Sequence, residues 1–350
     1  MTKAAELAAL IGSQTALSHR NLVINGSMNV AQRGTSSTGL GASSGYFTVD
    51  RFQMVLSGTA GRFTMSQAAV TDLPGFANAM KLDCTTADTS IAAAEVFEIQ
   101  QPIEGQNLQQ LKKGTSSAES VTVSFYMKTN KAFTFMAELD DTDNNRVNTQ
   151  QFTTTTGWTR HSITFAGDTT GTLDDDNAVS LRFNIFVHAG SNFTGGTYSA
   201  NTWQSRASSD NMRAVGIGSF FDSTDNEIQL TGLQIEIGET ATPFEHEDIT
   251  TTLTKCRRYY QKLVGTSYYG GFHAYTGSTS IFVALVPSMR AAPTVTDYNV
   301  RNASSGAAAS GASANYINVD GFNAPIDGAG GSDTHASHIN QASMEADAEL

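Results

Sequence analysis

The segment that decides the fold is Leu230–Leu263, which reads LTGLQIEIGETATPFEHEDITTTLTKCRRYYQKL. Its first part alternates apolar and polar residues, with Leu233, Ile235 and Ile237 on one side. This period of two residues predicts a half-buried β-strand. Pro243 is disfavoured both in a central strand and in the interior of a helix, so a corner is expected just before it. The segment therefore predicts the last strand of a β domain.

The second part of the segment changes from a period of two to a helical period. Its apolar residues recur at steps of four, three, four and three, which places them on one face of a helix. This pattern predicts a linking helix over residues 246–264. The same spacing is that of a coiled-coil seam, so the stripe is also the candidate interface of a trimer. Its members are Ile249, Leu253, Cys256, Tyr260 and Leu263.

The composition favours an all-β protein. Only 15% of the residues are charged, whereas Gly, Ser, Thr and Asn are abundant. Short strands joined by small polar turns have this composition, and stretches that look like strands recur between turn residues along 21–245. We therefore expect an antiparallel β-sandwich, or jelly roll.

The charge and the hydropathy exclude several kinds of partner. The formal net charge is −12, whereas nucleic-acid binding requires a positive surface. No apolar run approaches the length that crosses a bilayer. The N-terminus does not resemble a signal peptide, because Glu6 interrupts its apolar part. We expect neither nucleic-acid binding nor membrane insertion.

Four regions are expected along the chain. They are a short amphipathic helix over 1–20, a jelly roll over 21–245, the linking helix over 246–264 and a small β-rich domain over 265–350. The first helix is marginal alone, so it either docks on its own chain or serves attachment or assembly. The last region has few apolar residues and only two or three convincing strands, too little for a core of its own. Burial against copies of itself, in a homotrimer, would solve that problem.

Two signatures resemble a known group of proteins. The closing segment is similar to the one that ends the jelly-roll module of many bacteriophage tail-fibre and other virion structural proteins. Those proteins commonly open with a segment like Asn21–Gly34, NLVINGSMNVAQRG, followed by a step like Val49–Phe52, VDRF. The resemblance covers residues 21–263. It implies a virion surface protein whose jelly roll is like that of carbohydrate-binding modules, with Asp50 and Arg51 as an ion pair at the edge of the core.

The sequence contains little that resembles a catalytic set. His188, with Asp174–Asp176 and Ser191, would be the nearest approach to a hydrolase, but no nucleophile elbow surrounds any serine. There is no HExxH, Walker loop or dinucleotide fingerprint. The paired carboxylates of a glycosidase depend on three-dimensional geometry, which spacing does not reveal. We expect that the chain is not an enzyme. Its two cysteines, Cys84 and Cys256, are interpreted as small buried thiols.

Two acidic, amide-rich clusters are candidates for a metal. Oxygen ligands at short spacing suit Ca²⁺, and Asp140–Asn145 and Asp174–Asn177 provide them. Neither cluster matches the EF-hand pattern, and Asp and Asn also dominate ordinary turns. We expect no cofactor, with a structural calcium as the alternative at either cluster.

The aromatic residues of two loops are glycan-binding candidates. One loop is SNFTGGTYSANTWQ, in which rings lie beside amide and hydroxyl groups, as in many carbohydrate sites. The alternative is that its rings plug one end of the sandwich. The second loop surrounds Gly270–Gly271, where a receptor-facing patch and a subunit interface are both open. The candidates are Phe193, Tyr198, Trp203, Tyr268, Tyr269 and Tyr275.

These observations lead to two functional hypotheses. The first is a homotrimeric phage tail fibre that contacts host surface glycan during adsorption, so its partners are other virion proteins and host cell-surface polysaccharide. The second is a structural component without a receptor, such as a head decoration protein or a connector that anchors a fibre. Both place the chain in the virion, after assembly in the host cytoplasm.

Overall fold

The computed structural model describes residues 20–265, 279–296, 314–326 and 342–350. They divide into two compact units, one extending to Ile249 and including Leu350, the other spanning Thr250–Glu349. The helix expected near the N-terminus lies outside the described residues. No helix among those described combines the length and the apolar character needed to span a membrane.

The first unit is a sandwich of two antiparallel β-sheets. The six-stranded sheet has the order β1 (Ser36–Leu40), β4 (Arg62–Ala69), β5 (Asn78–Thr86), β13 (Glu227–Ile237), β7 (Val121–Thr129) and β10 (Thr159–Phe165). The seven-stranded sheet has the order β12 (Gln204–Ser205), β9 (Arg146–Thr153), β8 (Thr134–Asp141), β11 (Val179–Ala189), β6 (Val96–Glu104), β3 (Gln53–Ser57) and β2 (Gly45–Tyr46). The expected antiparallel β-sandwich is confirmed.

Short helices connect these strands. Two α-helical turns, α1 (Ser191–Thr194) and α2 (Arg206–Ser209), follow β11. The described residues also contain four 3₁₀ turns: Gly105–Asn107, Gln109–Leu111, Asp210–Met212 and Phe220–Asp222.

Alternating apolar residues of the two sheets form the core between them. On β7, for example, Val123, Phe125 and Met127 are fully buried. Across the sandwich, the ring of Phe63 on β4 stacks on that of Phe97 on β6, with centroids 4.8 Å apart. Burying each such side chain stabilises the fold by about 1.5–3 kcal/mol.

The closing strand lies in the middle of the six-stranded sheet, as its sequence predicts. β13 pairs with β5 on one side and with β7 on the other. Leu233 and Ile235 are buried in the core, and Ile237 packs against it. The register shifts within β13, where Gly232 takes a positive φ of 64° that favours glycine.

The opening segment is not a strand, but it docks on the closing strand. The Leu22 backbone NH donates to Ile235 O at 2.9 Å, and the Asn21 side-chain amide donates to Leu233 O at 3.2 Å. A Cβ atom on Gly26 would lie 2.0 Å from the same Leu233 oxygen. The two signatures of the sequence therefore belong to one folded body.

The Asp-Arg step is buried behind the opening segment. Asp50 accepts a hydrogen bond from the Gln32 backbone NH at 2.8 Å. The guanidinium of Arg51 donates to Pro102 O on β6 at 2.9 Å. Each of the two residues is only 1% exposed, so the step is structural.

The linking helix is shorter than its apolar pattern predicts. Helix α3 spans Ile249–Arg257, and the chain then enters strand β14 (Tyr260–Gly265). Tyr260 and Leu263 therefore lie on a strand, and the expected five-residue helical stripe is wrong. The backbone at Tyr260 pairs with Asp347 instead, and that strand partner lies too far along the chain for a local pattern to reveal it.

In the described part of the second unit, the strands form two small antiparallel sheets. One has the order β14, β19 (Ala342–Asp347) and β16 (Thr294–Thr296), and the other β15 (Thr279–Ala284), β18 (Gly321–Ile326) and β17 (Asn315–Asn318). Its buried residues form a core of their own, contrary to the expectation from composition. They are Val283, Leu285, Met289, Phe322, Met344, Ala346 and Ala348.

Candidate functional site

The predicted glycan loop lies across the outer face of the seven-stranded sheet. Phe193 and Tyr198 pack against a small buried cluster on that face, which includes Met136 and Phe186. The ring of Phe193 is 6.3 Å from that of Phe186, and both Phe193 and Tyr198 are only partly exposed. This packing fits the alternative in which the rings plug the sandwich.

The polar atoms of Tyr198 and Trp203 are also engaged. The Gln151 backbone NH donates to the Tyr198 hydroxyl at 2.9 Å, and the Trp203 indole NH donates to Ala166 O at 2.7 Å. The Trp203 ring packs on the main core and has the Lys113 ammonium 5.3 Å from its centroid. A sugar-binding role for these rings stays a prediction. Tyr268, Tyr269 and Tyr275 lie outside the described residues.

A buried ionic network lies on the same sheet face, beneath the loop. Arg213 lies in the covering segment and donates to both carboxylate oxygens of Glu138, at 2.6 and 2.7 Å. Asn184 links Glu138 to Gln100 on the neighbouring strands. Glu98 is 6% exposed beside this network, and its burial, reinforced by nearby carboxylates, raises its pKa to about 7. The chain itself therefore covers this sheet face.

The outer face of the six-stranded sheet is covered over only part of its area. Residues 238–245 lie over the ends of β13 and β7, where Thr242 bonds to Glu236 and Arg160. Beyond them the face is open, and its side chains are half-buried. Those polar side chains are Thr64, Ser66, Lys81, Asp83, Lys128 and Gln229.

Four aromatic rings contact one another where the covering segment meets this open area, and Trp158 lies beside Lys128 on the same face. We call the five the aromatic patch: Phe76, Tyr126, Trp158, Phe244 and His246. The Phe76 ring lies 5.3 Å from Tyr126, 5.1 Å from Phe244 and 5.3 Å from His246. His246 is exposed, and the other four are partly exposed. Rings 4.5–7 Å apart attract one another, so the four rings around Phe76 form a coherent apolar surface.

The backbone of β13 shapes the patch. A Cβ atom on Gly232 would lie 2.7 Å from the Phe76 ring and 3.0 Å from the Tyr126 ring. The absence of a side chain at this bulge lets both rings approach the sheet. Tyr126 itself is fixed on β7, in the middle of a rigid element.

Charged groups adjoin the patch at Trp158. Asp72 accepts from the Trp158 indole NH at 2.8 Å and from the Lys128 ammonium at 2.6 Å. These two hydrogen bonds hold the pKa of Asp72 below its usual value. The Lys128 ammonium also lies 6.0 Å from the Trp158 ring centroid. The patch therefore combines apolar ring faces with charged hydrogen-bonding groups.

His188 does not meet the residues considered with it in the sequence. Its Nδ1 lies 2.8 Å from Ser219 Oγ and its Nε2 lies 3.1 Å from Glu95, not from Ser191 or the aspartates at 174–176. The ring is fully buried, and burial lowers the pKa of His188. A neutral imidazole shielded from solvent gives no support to the hydrolase interpretation.

The two acidic clusters lie next to each other, and a lysine pairs with Asp141 of the first cluster. The Asp174 backbone NH donates to Asp143 at 2.9 Å, which joins the clusters. The Lys113 ammonium lies 2.5 Å from Asp141, 3.0 Å from Asp168 and 2.8 Å from Thr170 O. A calcium ion would need such oxygen atoms, and here they already surround an ammonium group. The calcium alternative stays untested.

The aromatic patch could not be assembled from local patterns. Tyr126 has a signal, because it lies on the polar side of VTVSFYMK, whose apolar side is the core. Phe76 and Phe244 lie in loops, and only the folded sheet brings them to Tyr126. Both cysteines are buried thiols outside any disulfide, as expected, and burial raises the pKa of Cys84 to about 11.

Comparisons with known proteins give similarities at the level of three-dimensional structure. No family model matches the sequence, and neither does any curated protein. A CBM4 structure is similar at 10% identity and a TM-score of 0.30, covering 61% of this chain and 99% of the other. The CBM22-1 xylan-binding domain of Xyn10C from Paenibacillus barcinonensis is similar at 12% identity and 0.26, covering 61% and 99%.

A third similar structure comes from a phage. The enzymatically active domain of tailspike protein 4 from bacteriophage CBA120 matches at 9% identity and a TM-score of 0.29, covering 62% of this chain and 21% of the other. This chain thus corresponds to about a fifth of that tailspike domain. All three TM-scores lie below 0.5, so these similarities carry no argument about activity.

Proposed function

We propose that this chain is a glycan-binding virion protein, a phage tail fibre that contacts host cell-surface polysaccharide through the aromatic patch. The observation that carries the glycan-binding part is the partly exposed set of rings beside Asp72 and Lys128 on the open sheet face. The virion role is supported by the sequence signatures in residues 21–263, as is a homotrimeric assembly.

The chemistry of the patch suits a sugar. One face of a pyranose ring is apolar and stacks on an aromatic side chain, while its hydroxyl groups need hydrogen-bond partners. Trp158 and Tyr126 provide ring faces, and Asp72, Lys128 and Gln229 provide donors and acceptors within the same open area. A purely apolar partner would remove water from these polar groups without replacing its hydrogen bonds, at a cost in affinity.

The position of the patch also suits a large ligand. It lies on an open sheet face and not in a closed cavity, so a polysaccharide chain can lie along the surface. The rings need little rearrangement, because Phe76 and Tyr126 are held over Gly232 by the sheet. Such preorganisation lowers the entropic cost of binding. We further propose that binding occurs without turnover.

The two tryptophans of the chain allow a direct test. A Trp203→Phe variant keeps Trp158 as its single indole fluorophore, and a Trp158→Phe variant keeps Trp203 as the matched control. Each is titrated with a panel of bacterial surface polysaccharides. We expect saturable changes in emission when Trp158 remains and none when Trp203 alone remains.

A double variant and a turnover assay complete the test. Tyr126→Ala combined with Trp158→Ala should weaken polysaccharide binding at least tenfold while the protein stays folded. The unmodified chain should release no new reducing ends from the polysaccharide that it binds. Binding that survives this double change, or emission changes confined to Trp203, would place the glycan elsewhere. An absence of binding to every polysaccharide in the panel would contradict the glycan proposal itself.

A further inference from the structure

Three potential metal ligands from separate parts of the chain meet at one end of the sandwich. Asp88 lies between β5 and β6, Glu95 immediately precedes β6, and His188 lies near the end of β11. One oxygen of each carboxylate and one imidazole nitrogen lie within 4.8 Å of one another. The residues expose only 6%, 5% and 0% of their surface. This cluster has no part in the proposed glycan site.

Hydrogen bonds from outside the cluster hold its members in place. Asp88 Oδ2 accepts from the Thr59 hydroxyl at 2.9 Å and from the Ala60 backbone NH at 2.7 Å. His188 Nε2 faces Glu95 at 3.1 Å, and its other ring nitrogen lies 2.8 Å from Ser219 Oγ. A ligating histidine usually has such a partner at the nitrogen that does not bind the metal.

The charge of the cluster is unbalanced. Among the described residues, no Lys or Arg forms an ion pair with Asp88 or Glu95. Other buried carboxylates of this unit do have basic partners, as Glu138 has Arg213 and Asp168 has Arg146. Burying a carboxylate is costly unless a counter-charge or a metal accompanies it. A divalent cation would supply the two missing positive charges.

We propose that Asp88, Glu95 and His188 bind a divalent transition-metal ion of the Zn²⁺ class, with water completing its coordination. One imidazole nitrogen and two carboxylates are ligands that Zn²⁺ accepts, whereas Ca²⁺ and Mg²⁺ prefer oxygen alone.

The three donor atoms are slightly too far apart to bind one ion without a small movement. With bonds of about 2.0–2.2 Å, neighbouring donor atoms lie roughly 3.0–3.5 Å apart, and Glu95 and His188 already meet this condition. Asp88, whose ligand atom lies within 4.8 Å of the other two, must approach by at most roughly 1.5 Å. On binding, the neutral His188 ring takes the tautomer whose single proton is on Nδ1, where it donates to Ser219 Oγ, and Nε2 offers its lone pair to the metal.

The proposed ion would link two separate parts of the chain, which gives it a structural role. It would tie the segment between β5 and β6 to strand β11, where the backbones are already in close contact: a Cβ atom on Gly190 would lie 1.9 Å from Ala92 O. A metal that binds the folded chain and not the unfolded one stabilises the fold. The ion would therefore be structural and hold this end of the sandwich together.

Metal content and thermal stability test the proposal. The full chain is stripped with a chelator, dialysed against Zn²⁺, and its bound metal is measured by mass spectrometry. We expect one Zn²⁺ per chain and a rise in Tm of roughly 5–10 °C at about a hundredfold excess over Kd. Ca²⁺ and Mg²⁺ should not produce this rise.

Two variants make the test specific. Asp88→Asn keeps the size of the side chain and should abolish both the bound Zn²⁺ and the rise in Tm, whereas His246→Gln, at an exposed histidine, should leave both unchanged. Cobalt absorption bands that depend on His188 provide a second readout if His188→Gln still folds. The proposal is overturned if Zn²⁺ does not bind, if Asp88→Asn behaves like the unmodified chain, or if His246→Gln removes the effect.

Discussion

Gly26 packs directly against the backbone of Leu233, so closely that a Cβ atom at position 26 would lie 2.0 Å from the Leu233 carbonyl oxygen. The Leu233 backbone NH donates to Gly26 O at 3.0 Å in the same contact. No rotamer change relieves a clash with backbone, so either the opening segment or β13 would have to move.

Replacing Gly26 with Ala should therefore destabilise the sandwich by about 1–3 kcal/mol, the range expected for overpacking. Gly157→Ala is the matched control, because a Cβ atom there has nothing within 4 Å. Urea unfolding of the two variants measures the difference. Equal free energies of unfolding would mean that the opening segment is not part of the folded body.

The pH dependence of stability should depend on Glu98. The pKa of Glu98 in the folded protein is about 7, above the ordinary value of 4.5. The contribution of Glu98 to the free energy of unfolding is therefore fully present below pH 4.5 and is lost as the pH rises through 7. Glu98→Gln should match the unmodified protein at low pH and exceed it by up to about 3 kcal/mol above pH 7. Denaturant midpoints across this range measure the effect. Parallel curves would contradict the assignment.

Lys113 should be essential for stability, whereas its neighbour should not. Lys113→Met leaves Asp141 and Asp168 buried without that ammonium, and removing one partner of a buried pair typically costs about 3–5 kcal/mol. Lys112→Met removes an exposed pair with Glu119 and should cost less than about 1 kcal/mol. Thermal unfolding compares the two. A similar Tm for both variants would show that the buried carboxylates tolerate the loss.

The two tryptophans should differ when each is truncated. Trp203→Ala removes a ring that packs on the main core and is bonded to Ala166, so it should lower the free energy of unfolding by about 2–4 kcal/mol. Trp158→Ala, at the half-exposed patch, should cost less than about 1 kcal/mol. If Trp203→Ala leaves Tm unchanged, its ring is not a plug, and its glycan role regains support.

The homotrimer can be tested at the exposed member of the expected stripe. Tyr260 is 1% exposed, so an acidic substitution there would disrupt folding and not only assembly. Ile249 is 51% exposed and can be changed safely. If the chain is a trimer that uses this surface, Ile249→Asp should shift light scattering towards monomer with unchanged circular dichroism. An unmodified protein that is monomeric at micromolar concentration would contradict the trimer.

Strand patterns could be read from the sequence because they are local. Leu233, Ile235 and Ile237 alternate along one strand, and their burial requires only that the strand has a core face. The end of α3 could not be predicted in this way. Tyr260 continues a helical pattern, yet its backbone pairs with Asp347, far along the chain.

The candidate sites were hidden for the same reason. The aromatic patch joins Phe76, Tyr126 and Phe244, and the proposed metal site joins Asp88 to His188. No spacing rule connects positions that only the pairing of distant strands brings together. The loop at Phe193, by contrast, has a local signal, but sequence alone does not say whether its rings face solvent or the sheet.

The contact between the opening segment and β13 has a consequence for synthesis of the protein. Asn21 and Ile235 are bonded to each other across 214 positions of the chain. At about 5–20 residues per second, a ribosome takes roughly 10–40 s to make the intervening polypeptide. During that time the opening segment lacks its partner β13, and the sandwich closes only when nearly its whole length has left the exit tunnel. Nascent chains stalled before residue 235 should therefore be protease-sensitive and bind chaperones, whereas chains released just after this point should resist digestion.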